Sequence, residues 1–110
     1  MQKINIIETL ANIDEHWSQR VVAEANGQCF KVAKGLGSTN WHKHDDQDEL
    51  FLIQKGSLRI EFRDSNVHLN LGDIFVVPRG IEHRPIADNE VEFLIVGLNI
   101  TSTKEGGKPN

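Results

Sequence analysis

Hydrophobic and polar positions alternate most clearly in the middle of the chain. Over residues 57–63, Leu58, Ile60 and Phe62 share one face of an extended segment, while Arg59, Glu61 and Arg63 share the other. Beyond a polar turn at Asp64-Ser65-Asn66 the alternation resumes, with Val67, Leu69 and Leu71 set against His68 and Asn70. A period of two marks strands with one buried and one wet face. Residues 91–100 are apolar on both faces, Val91, Phe93 and Ile95 on one and Leu94, Val96 and Leu98 on the other. That strand needs cover on both sides. Short apolar runs at 49–53 and 74–77 add two more strands.

Upstream, 18–25 and 28–34 are strand-like and are separated by Asn26-Gly27, the dipeptide most tolerant of the positive φ of a tight hairpin. Ile4 and Ile6, with Leu10 beyond them, stand in polar surroundings and predict a short N-terminal strand. Residues 12–17 read as a turn or one helical turn, and 35–40 as a flexible approach to the next strand. No segment of useful length shows a helical period, and no repeat occurs. The pattern predicts an all-β, antiparallel jelly-roll barrel or sandwich of eight or more short strands. One domain is expected over 1–100, with a flexible tail at 101–110, where Gly106-Gly107 and Pro109 accompany no apolar anchor.

Composition narrows the function classes. A net charge of −4 without a basic cluster lacks the electrostatic footprint of a nucleic-acid binder. No stretch is apolar enough to span a bilayer or to serve as a signal peptide, so no membrane partner is expected. The single cysteine, Cys29, has no internal partner, which suits a reducing, cytoplasmic setting. As a lone thiol it reads as a small buried hydrophobe.

The candidate chemistry lies between Trp41 and His83. His42 and His44, at i and i+2, project from the same face of a strand. Glu49 opens the run Leu50-Phe51-Leu52-Ile53, and His83 comes after a Pro78-Arg79-Gly80 turn. The odd offset from His44 to Glu49 requires a loop to restore parity, and Asp45-Asp46-Gln47-Asp48 is polar and turn-forming. Three imidazoles and one carboxylate make a first shell for one divalent transition metal, and Mn, Fe, Ni, Co, Cu and Zn all suit it. Four protein ligands leave two positions of an octahedral shell for a small molecule.

The spacing His42-x-His44-x4-Glu49-x6-Gly56, then Gly72-x5-Pro78-x-Gly80-x2-His83, resembles the two signature motifs of the cupin superfamily. The leading glycine, Gly35 or Gly37, is out of register by one, and Ala87 stands where the second motif ends in asparagine. More narrowly, the segments around Trp41, Asp48 and Val76 resemble small single-domain cupins often labelled mannose-6-phosphate isomerase-like. The resemblance implies a double-stranded β-helix with His42, His44, Glu49 and His83 as metal ligands. It also implies a homodimer, for which the N-terminal Ile4–Ile6 segment and the outer apolar strands are the expected interface. The large phosphomannose isomerases replace one histidine with glutamine and are several times longer, so the namesake activity does not transfer. With no tyrosine in the chain, cupin chemistries that rest on one are excluded.

Two function classes remain. The first is a metal-dependent enzyme of isomerase, tautomerase or lyase type acting on a small sugar-like or carbonyl-bearing substrate, with dioxygen activation as its iron-dependent variant. The second is a non-catalytic module that binds metal or a small ligand. Other residues read as structural: Trp41 as core packing behind the metal strand, His16 and His68 as solvated, and Arg79 and Arg84 as surface or dimer charges. The pocket wall is expected to be apolar, built from Phe51, Ile53, Leu58, Ile60 and Phe62.

Overall fold

The computed structural model describes residues 1–98. The expected tail at 101–110, and the end of the apolar run at 99–100, lie outside the described residues. A helix α1 (Ile6–Ala11) is followed by strands β1 (Arg20–Ala25), β2 (Gln28–Ser38), β3 (Glu49–Lys55), β4 (Leu58–Phe62), β5 (Asn66–Leu69), β6 (Ile74–Val77) and β7 (His83–Gly97). All pairings are antiparallel. The main path runs β1-β2-β7-β3-β6, and β4 joins β7 to β5.

β7 organises the barrel. Its first half pairs with β4, Phe62 opposite His83 and Ile60 opposite Pro85. Its second half pairs with β3, Phe51 opposite Ile95 and Ile53 opposite Phe93. Along both halves it also pairs with β2. Inward positions alternate as the strand period demands, and Val91, Phe93 and Ile95 enter one core with Phe51, Ile53, Leu58, Ile60 and Val77. Burying each large side chain there contributes about 1.5–3 kcal/mol. The expected pocket wall is corrected: Ile53, Leu58, Ile60 and Phe62 go into or against this core, and of the five residues Phe51 alone lines the pocket beside His42 and Glu49. The hairpin β1–β2 turns at Asn26 and Gly27, whose φ values of 54° and 77° are those of the expected two-residue turn.

Four expectations are corrected. The N-terminal segment is a helix, not a strand. Asn5 caps it by accepting from the Glu8 backbone N–H at 3.0 Å, and Ile6, Leu10 and Ile13 recur at helical spacing. That face packs on Val32, Val22 and Leu94, so the segment covers its own barrel. Residues 35–38 are not a flexible approach but the end of β2, which bulges between Gly35 and Gly37. His42 and His44 do not share a regular strand: His42 forms a single bridge with His83, and His44 lies in the loop beyond it. Finally, seven strands rather than eight or more occur among the described residues, because the N-terminal segment is a helix and His42 forms only an isolated bridge. No helix of the described residues is long and apolar enough to cross a membrane.

Candidate metal centre

The four sequence-predicted residues converge. One ligand atom from each of His42, His44, Glu49 and His83 lies within 4.8 Å of every other. Glu49 starts β3, His83 starts β7, and the two histidines reach them from the connecting loop. Reciprocal backbone bonds, His42 N–H to His83 O at 3.0 Å and His83 N–H to His42 O at 2.9 Å, tie the loop to β7. Gly80 N–H donates to the His44 carbonyl at 2.8 Å, which fixes the far side. His44, Glu49 and His83 are buried, and His42 is half-buried at the open side.

The donor set fits a metal ion. Nδ1 of His42 lies 2.7 Å from the Asn40 carbonyl, and Nδ1 of His83 lies 2.9 Å from the Ile81 carbonyl. A carbonyl only accepts, so Nδ1 carries the hydrogen in both rings and each Nε2 presents a lone pair. Nε2 of His83 is 3.3 Å from Oε1 of Glu49, and Nε2 of His44 is 3.4 Å from Oε2. Nitrogen and carboxylate lone pairs held that close need a cation between them, either protons or a metal ion. Burial alone would raise the Glu49 pKa, but the hydrogen bonds and charges of His44 and His83 outweigh it and hold the carboxyl at about 2. Burial lowers the His42 pKa, against the opposing pull of the Asn40 carbonyl. Both shifts favour the ligand form of each side chain near neutral pH.

Residues 28–97 match the Cupin_2 family model, described as the cupin domain. This chain is a cupin. The cupin is 34% identical over 86 residues to the uncharacterized protein YdbB of Bacillus subtilis (strain 168), a match that covers 76% of either chain. Among solved structures it is similar to a cupin-2 domain containing protein from Shewanella frigidimarina NCIMB 400. That likeness has 42% identity and a TM-score of 0.82, covering 84% of this chain and 91% of that one. Protein NMB1881 from Neisseria meningitidis is similar at 28% identity and a TM-score of 0.82, over 89% of this chain and all of that one.

The remaining candidates fall outside the cluster. Trp41 is corrected: it is half-buried rather than core, and the guanidinium carbons of Arg63 and Arg84 lie 3.9 and 5.0 Å from its ring centroid. Arg84 also pairs with Glu61 at 2.6 Å. The Arg79 backbone N–H donates to Asp48 at 2.9 Å, and that bond lowers the Asp48 pKa, so Arg79 steadies the ligand loop. His16 is half-exposed and bonds Glu90; His68 is exposed and Cys29 fully buried.

Sequence reasoning missed several residues around the cluster. Gln47 is buried, and its Oε1 accepts from Leu98 N–H at 2.8 Å, filling the space that the missing side chain of Gly97 leaves. Lys31 is 2% exposed on the inward face of β2, between Cys29 and Ala33. Burial lowers its pKa, while the charges of Cys29 and Glu49 act to raise it. Inward parity with Cys29 was the signal for Lys31. A pocket with about 30 Å³ of free volume opens beside His42 and Glu49, and Trp17, Gln19, Ala33, Thr39, Phe51, Pro85, Phe93 and Ile95 complete its lining.

Proposed function

We propose that this cupin uses His42, His44, Glu49 and His83 to bind one divalent transition metal and that it is a metal-dependent enzyme of isomerase, tautomerase or lyase type acting on a small carbonyl-bearing substrate. The observation that carries the reading is the convergence of the four ligand atoms within 4.8 Å, two of whose residues, His42 and Glu49, line a pocket. A bound divalent ion supplies Lewis-acid polarisation of a carbonyl oxygen. The chain's own part is to hold three imidazoles and a carboxylate in fixed orientation and to exclude water with the Phe51, Phe93 and Ile95 walls. In a dry wall electrostatic interactions are stronger than in solvent.

The test combines elemental analysis of protein purified without chelator with solvent exchange. Metal-loaded protein incubated in D2O with 2-hydroxy- and 2-oxo-carbonyl compounds is expected to place deuterium next to the carbonyl, seen by proton NMR. Stoichiometric metal without exchange, with the same compounds still binding, would instead establish the non-catalytic reading. One feature favours that second reading: apart from the ligands, Gln19 and Thr39 are the amide and hydroxyl side chains of the pocket wall among the described residues, and neither is an acid or base. Oxygen uptake by the iron-loaded protein distinguishes the dioxygenase variant.

The cytoplasm is the proposed location, and a homodimer is the proposed assembly. Its support lies in β6 rather than in the N-terminal segment. Ile74 and Val76 of β6 are 62% and 44% exposed and stand opposite Leu52 and Leu50 of β3. These in turn neighbour Leu94 and Val96 of β7. The patch is self-complementary in chemistry, as a two-fold interface requires. Light scattering at micromolar concentration is expected to give a dimer that Ile74→Asp with Val76→Asp dissociates and removal of residues 1–4 leaves intact. A monomeric parent protein would sink it.

A further inference from the structure

We infer that Lys31 belongs to the metal centre without being a ligand: its charge loosens the hold on the cation and tightens the hold on an anion that completes the shell. The inference rests on the four residues being metal ligands, and it adds a residue that lies outside their motif.

Strand register places Lys31 near Glu49. Lys31 stands opposite Ile95 of β7, and Ile95 stands opposite Phe51 of β3 on its other side. Cys29, Lys31 and Ala33 share the inward parity of β2, as Glu49, Phe51 and Ile53 share that of β3. Two strand spacings of about 4.8 Å separate β2 from β3, and the four-carbon stem of a lysine spans much of that gap. Glu49 lies one inward position along β3 from Phe51. Burial lowers the pKa of the Lys31 ammonium, and the charges of Cys29 and Glu49 act to raise it.

Burial makes this pairing matter. Lys31 is 2% and Glu49 5% exposed, and among the described residues no other lysine, arginine or carboxylate side chain is buried. An ammonium taken out of water is costly unless an opposite charge answers it. The two Glu49 oxygens already face imidazoles, Oε1 that of His83 and Oε2 that of His44. Lys31 need not touch the carboxylate to act on it, because charges are weakly screened in a dry interior. The consequences have opposite signs. Glu49 is the one anion that the ligand set brings, and Lys31 offsets it, so it lowers the attraction of the cluster for a divalent ion. With the ion bound, the same offset leaves the ion's full double charge uncompensated, so an anion at a remaining coordination position is held more tightly. A lysine that served packing alone would, on removal, weaken both.

The test replaces Lys31 with methionine, which keeps most of the stem, and separately with glutamine. Two replacements of different polarity guard against one that fails to fold, which circular dichroism detects. Cobalt(II) affinity of each full-length protein is measured by competition with a chelator, above the pH range in which histidine protonates. Azide is then titrated into the cobalt-loaded proteins and followed by the cobalt visible absorption. Both variants are expected to bind cobalt about tenfold tighter than the parent protein and azide several-fold more weakly. Unchanged affinities in the variants overturn this inference and leave the metal reading standing. A fall in both affinities makes Lys31 a packing residue and overturns it as well. A parent protein that takes up no cobalt overturns the inference and the metal reading together.

Discussion

Replacing His44 or His83 with alanine is expected to remove most bound metal while the barrel stays folded. Both rings are buried, at 2% and 1% exposure, and each faces one oxygen of Glu49. The variants leave that carboxylate with one imidazole fewer, at a stability cost of about 1–3 kcal/mol. The hydrophobic core dominates stability and is untouched. Glu49→Gln should weaken metal binding less than either histidine change, because an amide oxygen still coordinates but brings no charge. Elemental analysis after dialysis against buffered metal reads the result, and stoichiometric metal in both histidine variants would refute the ligand assignment.

The same occupancy has a predicted pH profile. Neutral imidazole is the ligand form, so metal should leave as the histidines protonate below about pH 6. Glu49, held at about 2, stays ionised throughout that range and cannot cause the loss. Stability changes with definite signs. His42 has a folded pKa below its ordinary 6.5, so the unfolded chain takes up that proton first and acid favours unfolding as pH falls below 6.5. The Glu49 contribution is fully present above its ordinary 4.5 and is lost as pH falls from there towards 2. An occupancy profile that stays flat down to the carboxylate range would count against a three-histidine shell.

The cluster was legible because its four residues sit at fixed offsets from turns that the sequence also marks. The parity break between His44 and Glu49 lies in Asp45-Asp46-Gln47-Asp48, as expected. Spacing alone could not give the way that loop is held: Asp48 takes the Arg79 backbone N–H and Gln47 takes the Leu98 backbone N–H. Both bonds span more than thirty residues of sequence. β4 and β5 were readable because one face is buried and the other wet. The helix was misread because Ile4 and Ile6 suggested a period of two, whereas Ile6, Leu10 and Ile13 keep the helical one and Asn5 with Glu8 caps it. β7 was cut short because Asp88-Asn89-Glu90 interrupts the apolar pattern. The strand continues there because these three polar side chains are exposed. Trp41 has the parity that points it away from the metal, but the guanidiniums of Arg63 and Arg84 cover it rather than core. No local pattern announces such a stack.

Gly35→Ala is expected to destabilise the protein by about 1–3 kcal/mol, an overpacking cost out of proportion to one methyl group. A Cβ at this position would stand 2.6 and 2.7 Å from two ring carbons of Trp17, closer than real contacts allow. The indole cannot simply swing aside, because its N–H is bound to the Leu36 carbonyl and the Trp17 backbone N–H to the Lys34 carbonyl. The ring must shift towards Phe93 and the pocket, or those bonds must break. Strand propensity would predict the reverse sign, since glycine in a strand interior is replaced by a residue that loses less entropy on folding. A double-mutant cycle separates the two effects. In a Trp17→Ala background the clash is gone, so Gly35→Ala should become neutral or slightly stabilising, and the two substitutions should couple by more than about 1 kcal/mol. Urea unfolding with matched m-values measures all four proteins. An equal cost of Gly35→Ala in both backgrounds would show that the indole is not what keeps this position glycine, and the pocket wall would then owe its position to something other than the contact between Trp17 and β2.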